Sequence, residues 1–224
     1  EAVDAVSDAI KWLEGVSRQR LGDPERPMLV SVRSGAPVSM PGMMDTILNL
    51  GATTATLTGL TARGGARFAL DARRRFLQMY GEIIEGVPSE NFEGILSAAV
   101  VAAGVERDSD LPEGALRSVV EGFEATITAA GRQIDPDPHV QLLRAIEAIL
   151  RSWDNPRART YRWLNAIPDE LGTAVNVQLM VFGNLGPRSG SGVGFTRDPA
   201  TGRRSFYGEY LPNAQGEDVV AGTR

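Results

Sequence analysis

The chain has 224 residues, of which 42% are apolar and 23% charged, and it carries a net charge of -5. Those fractions describe a folded globular protein and exclude disordered, collagen-like and coiled-coil classes. The acidic balance disfavours general nucleic-acid binding, which draws on a basic surface, and no apolar run approaches the ~18 residues of a membrane span.

The longest mostly apolar stretch, Ala98 to Val105, is short and contains Gly104. Cysteine is absent, which removes disulfides, thiol nucleophiles and cysteine metal sites and fits a reducing cytoplasm. The single histidine, His139, sits in Asp135-Pro-Asp-Pro-His139 and reads as a surface or capping residue at a helix entry. All but one of the 23 Lys and Arg residues are arginine, so a chemistry that needs lysine has Lys11 as its candidate. The chain opens on Glu1 without a signal-peptide pattern and ends at Gly222-Thr-Arg224 directly after an apolar run. It is expected to be a piece of something longer.

Residues 2–19 place Val3, Val6, Ile10, Leu13 and Val16 at steps of three and four, an amphipathic helix. A turn-rich loop covers Leu21 to Pro27. Met28 to Arg33 then alternates as a strand, with Leu29, Ser31 and Arg33 on one side and Val30 and Val32 on the other. Ser34 to Met44, punctuated by glycine and proline, reads as a loop. From about 65 to 165 the period is helical. Phe68, Ala72, Phe76, Met79 and Ile83 form the first stripe; Ser89 caps and Gly104 stops a second helix. Asp110 and Pro112 open a third, with Leu116, Val119, Phe123 and Ile127 on its face and Gly131 at its end. Pro138 opens a fourth, with Val140, Leu143, Ile146 and Leu150, and Asn155-Pro156 opens a fifth.

Strands return at Ala174 to Phe182. Val175, Val177, Leu179 and Val181 make one apolar face; Asn176, Gln178 and Met180 make the other. Ser191 to Thr196 and Ser205 to Leu211 follow as strands joined by the turn Asp198-Pro-Ala-Thr-Gly202.

Three stretches carry chemistry. A strand delivers Arg33 at its end and a glycine-containing loop follows at once, an arrangement that suits a phosphate and equally a strand-end salt bridge. It is neither a Walker A loop nor a dinucleotide fingerprint. Gln178 and Met180 stand side by side on a polar face, where Gln suits an adenine edge and Met a flat ring, or the strand is simply half exposed. Gly190-Ser-Gly-Val-Gly-Phe-Thr-Arg197 lets a backbone approach a ligand closely. Glu209, Glu217 and Asp218 could attract a cation or ribose hydroxyls, but a hairpin with charged edges explains both segments as well.

Leu29-Val-Ser-Val-Arg-Ser-Gly-Ala-Pro-Val-Ser-Met-Pro-Gly-Met-Met-Asp-Thr-Ile-Leu-Asn-Leu-Gly51 resembles the signature of the pyruvate, phosphate dikinases. The resemblance continues through Arg74 to Tyr80, the Trp153 to Ala158 block, Gly172 to Asn184, Ser189 to Pro199 and Gly208 to Gly222, in the family's order and over nearly the whole chain. It implies an α+β fold, an ATP-grasp-like nucleotide-binding domain with a helical insertion, incomplete at both ends. Residues 1–51 and 137–187 would form the first grasp subdomain, 52–136 the insertion, and 188–224 the start of the second. ATP would lie between the subdomains and pass its β-phosphate to a histidine on a separate domain, from which it serves pyruvate at a barrel domain.

By the same resemblance Arg33 is the catalytic, phosphate-contacting arginine, Thr46 lies near the phosphates, and Gln178 and Met180 flank the adenine. Ser191 stands where the family usually has threonine, and Glu209 and Glu217 match acids of the nucleotide cleft. The expected cofactor is Mg²⁺ with ATP, with no metal ligand in this stretch. The expected partners are ATP, phosphate, and the phosphohistidine and pyruvate-binding domains of a cytoplasmic, homodimeric full-length chain. No nucleic acid or membrane is expected. The family's phosphate-binding lysine segment and its metal-binding acids would lie outside 1–224, so these residues alone are expected to be inactive. A related phosphoenolpyruvate synthase or antibiotic phosphotransferase, or a non-catalytic nucleotide-binding module, is the alternative.

Overall fold

The computed structural model describes residues 2–220 as a mixed helix and sheet protein of the α+β class. It divides into two compact units, residues 1–180 and 181–224. Among the described residues no helix is long and apolar enough to cross a membrane.

The first unit starts with α1 (Ala2–Ser17), whose stripe buries only Ile10, while Val3 and Val16 stay exposed. A loop then feeds the central strand β1 (Val30–Gly35), which continues two residues past the expected Arg33. After the glycine- and proline-punctuated segment the chain returns as a strand that no alternation announces, β2 (Thr46–Leu50). Its Thr46-Ile-Leu-Asn-Leu50 pattern is half-buried at Thr46 and buried from Ile47 onward, so no period of two marks it.

The helical block begins earlier than expected. α2 spans Leu57–Ile83 with a kink at Gly65, where φ is 85°, and the part before Gly64-Gly65 is helical too because it buries Leu60. Phe68, Ala72 and Phe76 of its stripe are buried, and Met79 and Ile83 are half-buried. α3 (Ser89–Ala103) takes Pro88, not Ser89, as its cap and ends on left-handed Gly104. α4 (Glu113–Ala129) is capped by Pro112. Leu70, Leu77, Phe92, Leu116, Val119, Phe123 and Ile127 of these three helices close one core, with Phe92 and Phe123 edge to face at 4.9 Å.

α5 (Pro138–Arg151) corrects the expected stripe. Its buried residues are Gln141, Leu142, Ala145 and Ile149; Leu143 and Ile146 are half-buried and Val140 and Leu150 exposed. The helix packs on all the strands of its sheet through a face rotated by about one residue from the apolar one, so burial follows the sheet and not the side-chain volumes. Asp137 caps α5 by accepting the His139 backbone N–H at 2.8 Å, and the His139 side chain is exposed. After α6 (Pro156–Leu164) comes β3 (Ala174–Leu179). β1 lies between β2 and β3, antiparallel to both. β3 ends before Val181, which is 88% exposed and not part of an apolar face.

The second unit pairs β4 (Gly190–Phe195) with β5 (Tyr207–Pro212) through the expected turn, and a short helix α7 (Gly216–Val220) packs on both. The Asp198 carboxylate holds that turn by accepting the Ala200 and Thr201 backbone N–H groups.

Charge is buried inside α2. Asp71 accepts from Arg74 at 2.7 Å and from Arg75 at 3.1 Å, all three side chains being buried, and Arg74 reaches Asp108 at 3.1 Å. Burial raises the Asp71 carboxyl, but the Arg75 and Arg74 guanidiniums outweigh it and hold the group well below the usual carboxylate range. With the folded value below the unfolded one, this contribution is complete above about pH 4 and is lost as pH falls. Asp71→Asn removes the buried carboxylate that Arg74 and Arg75 share, leaving Arg74 its contact with Asp108, and should cost about 3 kcal/mol at neutral pH. Urea unfolding should show the gap to wild type narrowing at about pH 3; a gap of equal size there would remove Asp71 from the pH dependence.

Candidate functional site

Residues paired across an antiparallel sheet share a face. Arg33 pairs with Thr46 of β2 on one side and with Asn176 of β3 on the other, so the three form one row across the sheet. Ser31 opposite Gln178 forms the next row. The opposite face carries Val32 paired with Ile47 and Val177, and it is the one turned to the core. Arg33, Asn176 and Gln178 are exposed and Thr46 is half-buried. Among the described residues the Arg33 guanidinium has no hydrogen-bond or ion-pair partner, leaving its planar fork of donors open to an anion.

The same face closes toward its other end, where Leu29, Ser31 and Asn49 are buried. The pairing of β1 with β2 slips between Val30 and Val32, a bulge that places Asn49 at φ 57°. Met180 donates its backbone N–H to Leu29 at 3.0 Å, and its sulfur accepts the Asn49 N–H at 3.1 Å. The Met180 side chain therefore reaches past β1 to the bulge, while Gln178 stays on the open part of the face.

The loop between β1 and β2 is fixed from a distance. Asp45 accepts a hydrogen bond from the Asn155 amide at 2.9 Å and an ion-pair contact from Arg157, and its own N–H donates to Ser152 Oγ at 3.3 Å. Arg157 also donates to the Met43 carbonyl at 3.0 Å. Asn155 opens α6 without capping it by a side-chain bond, because its amide is turned to Asp45. The block itself is braced by buried Arg162, which lies over the Trp153 ring at 4.1 Å and donates to Asp169 at 2.6 Å. The Met-Pro-Gly-Met-Met loop is thus held beside Thr46 by residues more than a hundred positions away. Asn176 and this Asp45–Asn155–Arg157 clamp were not among the expected site residues. The available signal was an acid and a base in two separate signature blocks.

Within the second unit, Ser191 and Glu209 lie on one face of the hairpin, Ser191 opposite Leu211 and Glu209 opposite Val193. The Ser191 hydroxyl donates to the Ala214 carbonyl at 2.8 Å. Glu209 is exposed, and Glu217 is half-buried on α7. On the other face a Cβ at Gly190 would meet the Tyr210 hydroxyl, one at Gly192 the Glu209 carbonyl at 2.7 Å, and one at Gly194 the Phe206 ring at 2.9 Å. Among the described residues no group of three His, Cys, Asp or Glu stands close enough to hold a metal ion.

The pyruvate phosphate dikinase AMP/ATP-binding domain family matches residues 2–224. The chain belongs to that family. It is 52% identical to the pyruvate, phosphate dikinase of Clostridium symbiosum, over all of this chain and 26% of that protein. It is 49% identical to the chloroplastic pyruvate, phosphate dikinase 1 of Arabidopsis thaliana, over 99% of this chain and 23% of that protein. With pyruvate, phosphate dikinase 2 of Zea mays it shares 50%, over 98% of this chain and 25% of that protein. The chain therefore spans about a quarter of the length of these relatives.

Asp45→Ala removes the carboxylate that holds Asn155 and Arg157 and leaves the loop only the Arg157–Met43 and residue 45–Ser152 bonds. Stability should fall by about 1.5–3 kcal/mol, the scale of a hydrogen bond to a charged group. Hydrogen exchange should rise in residues 36–45 ahead of the helical core. Unchanged exchange in that loop would show that the clamp does not hold it.

Proposed function

We propose that the chain is the ATP-binding part of a pyruvate, phosphate dikinase with an ATP-grasp-like fold. Residues 1–51 and 137–187 form its first subdomain, 52–136 a helical insertion, and 188–224 the start of the second subdomain. The β-phosphoryl group of ATP passes to a carrier histidine on a separate domain with AMP as the leaving group, and phosphate, as the second acceptor, takes the γ-phosphoryl group to give pyrophosphate. The phosphohistidine then phosphorylates pyruvate at a barrel domain to give phosphoenolpyruvate.

The observation that carries this reading is the Thr46–Arg33–Asn176 row on an open sheet face, with an unpaired guanidinium beside an anchored glycine-containing loop. Phosphoryl transfer asks the protein for positioning and charge stabilisation. Arg33 supplies a fork that matches two phosphate oxygens, and Thr46 a neighbouring hydroxyl. Gln178 offers an amide to the adenine edge and Met180 an apolar wall. Ser191, Glu209 and Glu217 contribute further contacts to the nucleotide. Mg²⁺ arrives with ATP; the described residues offer it no ligand cluster. Full-length chains would pair as homodimers in the cytoplasm.

In the full-length protein Arg33→Ala should slow histidine phosphorylation by ATP about 10²–10³-fold, the scale of one removed charge-stabilising donor. Folding should be nearly unchanged because the side chain is exposed. Arg33→Lys should also be slow, for lack of the planar fork. Rapid-quench measurement of the phosphohistidine checks both, and a near-normal rate in Arg33→Ala would take this residue out of the mechanism.

Gln178→Ala should weaken ATP binding while phosphotransfer at saturating ATP changes little, as expected when uniform binding is lost. Equal nucleotide affinity in this variant, measured by titration calorimetry, would leave Gln178 as no more than an exposed strand residue.

A further inference from the structure

Before the first residue of β1, which lies three residues or about 10 Å along the strand from Arg33 at ~3.3 Å per residue, two adjoining cavities share basic walls. The larger, about 370 Å³, is lined by Lys11, Glu14, Arg18, Arg20 and Arg26. The second shares Arg18 and Arg26 and adds Glu25 and Arg63. The chain as a whole is acidic, at -5, so this concentration of positive charge is local.

The acids of this region are engaged first by backbone N–H groups, and the Asp23 carboxylate also feels the Arg26 and Arg20 charges. Glu14 accepts the Leu21 N–H at 2.9 Å, and Asp23 accepts the Glu25 and Arg26 N–H groups at 2.8 Å each. Lys11 is paired with Asp8 at 3.0 Å, and Arg63 holds the Gln19 amide oxygen at 3.0 Å. Among the described residues the guanidiniums of Arg18, Arg20 and Arg26 make no hydrogen bond or ion pair, and they face a common cleft. The C-terminal carbonyls of α1 carry about half a unit of negative charge, enough to balance one guanidinium at most. Arg18 sits just past that helix end in the left-handed region, at φ 58°, where glycine would be unstrained. No aromatic ring lines either cavity, so nothing there would receive a nucleobase.

We propose that this cleft is a second anion site, separate from Arg33, that binds a small inorganic polyanion of the phosphate class through Arg18, Arg20 and Arg26. The proposal does not depend on the nucleotide reading. The geometry suits several oxygens shared among forked donors, and a site of this kind weakens as salt rises.

Titration calorimetry of the full-length protein with inorganic tripolyphosphate, without ATP, tests it. Arg33→Ala removes any contribution from the sheet face. Binding should persist in that background and weaken at least tenfold when Arg18→Ala and Arg26→Ala are added. Arg18→Gly is the folding control: it suits the backbone, so it should keep thermal stability and still lower tripolyphosphate affinity. Mg-ATP affinity should be unchanged by Arg18→Gly. Tripolyphosphate binding that vanishes with Arg33→Ala alone, or that is indifferent to Arg18→Gly and to the Arg18/Arg26 pair, would overturn the second site. Loss of Mg-ATP binding in Arg18→Gly would do so too, by merging the cleft with the nucleotide site.

Discussion

The sheet of the first unit is built around the central strand β1, because both of its edges are taken. Six residues pair without interruption with β3, from Val30 with Leu179 to Gly35 with Ala174. The other edge pairs with β2 through a bulge. In a strand of period two, a slip of one residue would turn Arg33 into the core and Val32 into water. A buried unpaired guanidinium costs several kcal/mol, so the core-facing valines and the outward arginine fix the register together. The bulge takes up the mismatch at Asn49, a residue that tolerates the left-handed region. It leaves the Arg33 row regular.

Nearly all positive charge in this protein is arginine, and the fold uses it in two opposite ways. Arg73, Arg74, Arg75 and Arg162 are buried, and each is matched by carboxylates or backbone carbonyls. The planar fork and weak hydration of guanidinium make such burial tolerable where lysine would lose its proton or its place. Arg33 keeps the same fork in solvent with nothing to hold. A buried arginine with its acceptors is structural glue; an exposed one with open donors is a binding group.

The two glycine-rich regions are ordered by different means. The loop before β2 is tied by Asp45 to Asn155, Arg157 and Ser152, so its position follows from the start of α6. In the hairpin, rings fill places that glycine leaves open: Tyr210 of the partner strand lies over Gly190, and Phe206, just before β5, over Gly194. Glycine in the first case permits a turn; in the second it makes room for an aromatic neighbour.

The amino-acid sequence by itself determined the helix starts at Pro138 and Pro156, the stop at Gly104, the apolar faces of α2 and α4, and the alternation that sends Val32 inward and Arg33 outward. These depend on neighbours within one or two turns, and proline, glycine and side-chain period act locally. It also carried the long motif blocks that mark the family. Tertiary structure decided which face of α5 is buried, because Leu142, Ala145 and Ile149 meet the sheet while Leu150, just as apolar, does not. It decided that Thr46 to Leu50 is a strand, since a segment buried on both sides shows no alternation. It brought Thr46 and Asn176 to either side of Arg33, and Asp45 to Arg157, from positions more than a hundred residues apart. Such pairings depend on register and packing between distant segments, which composition and local period do not encode.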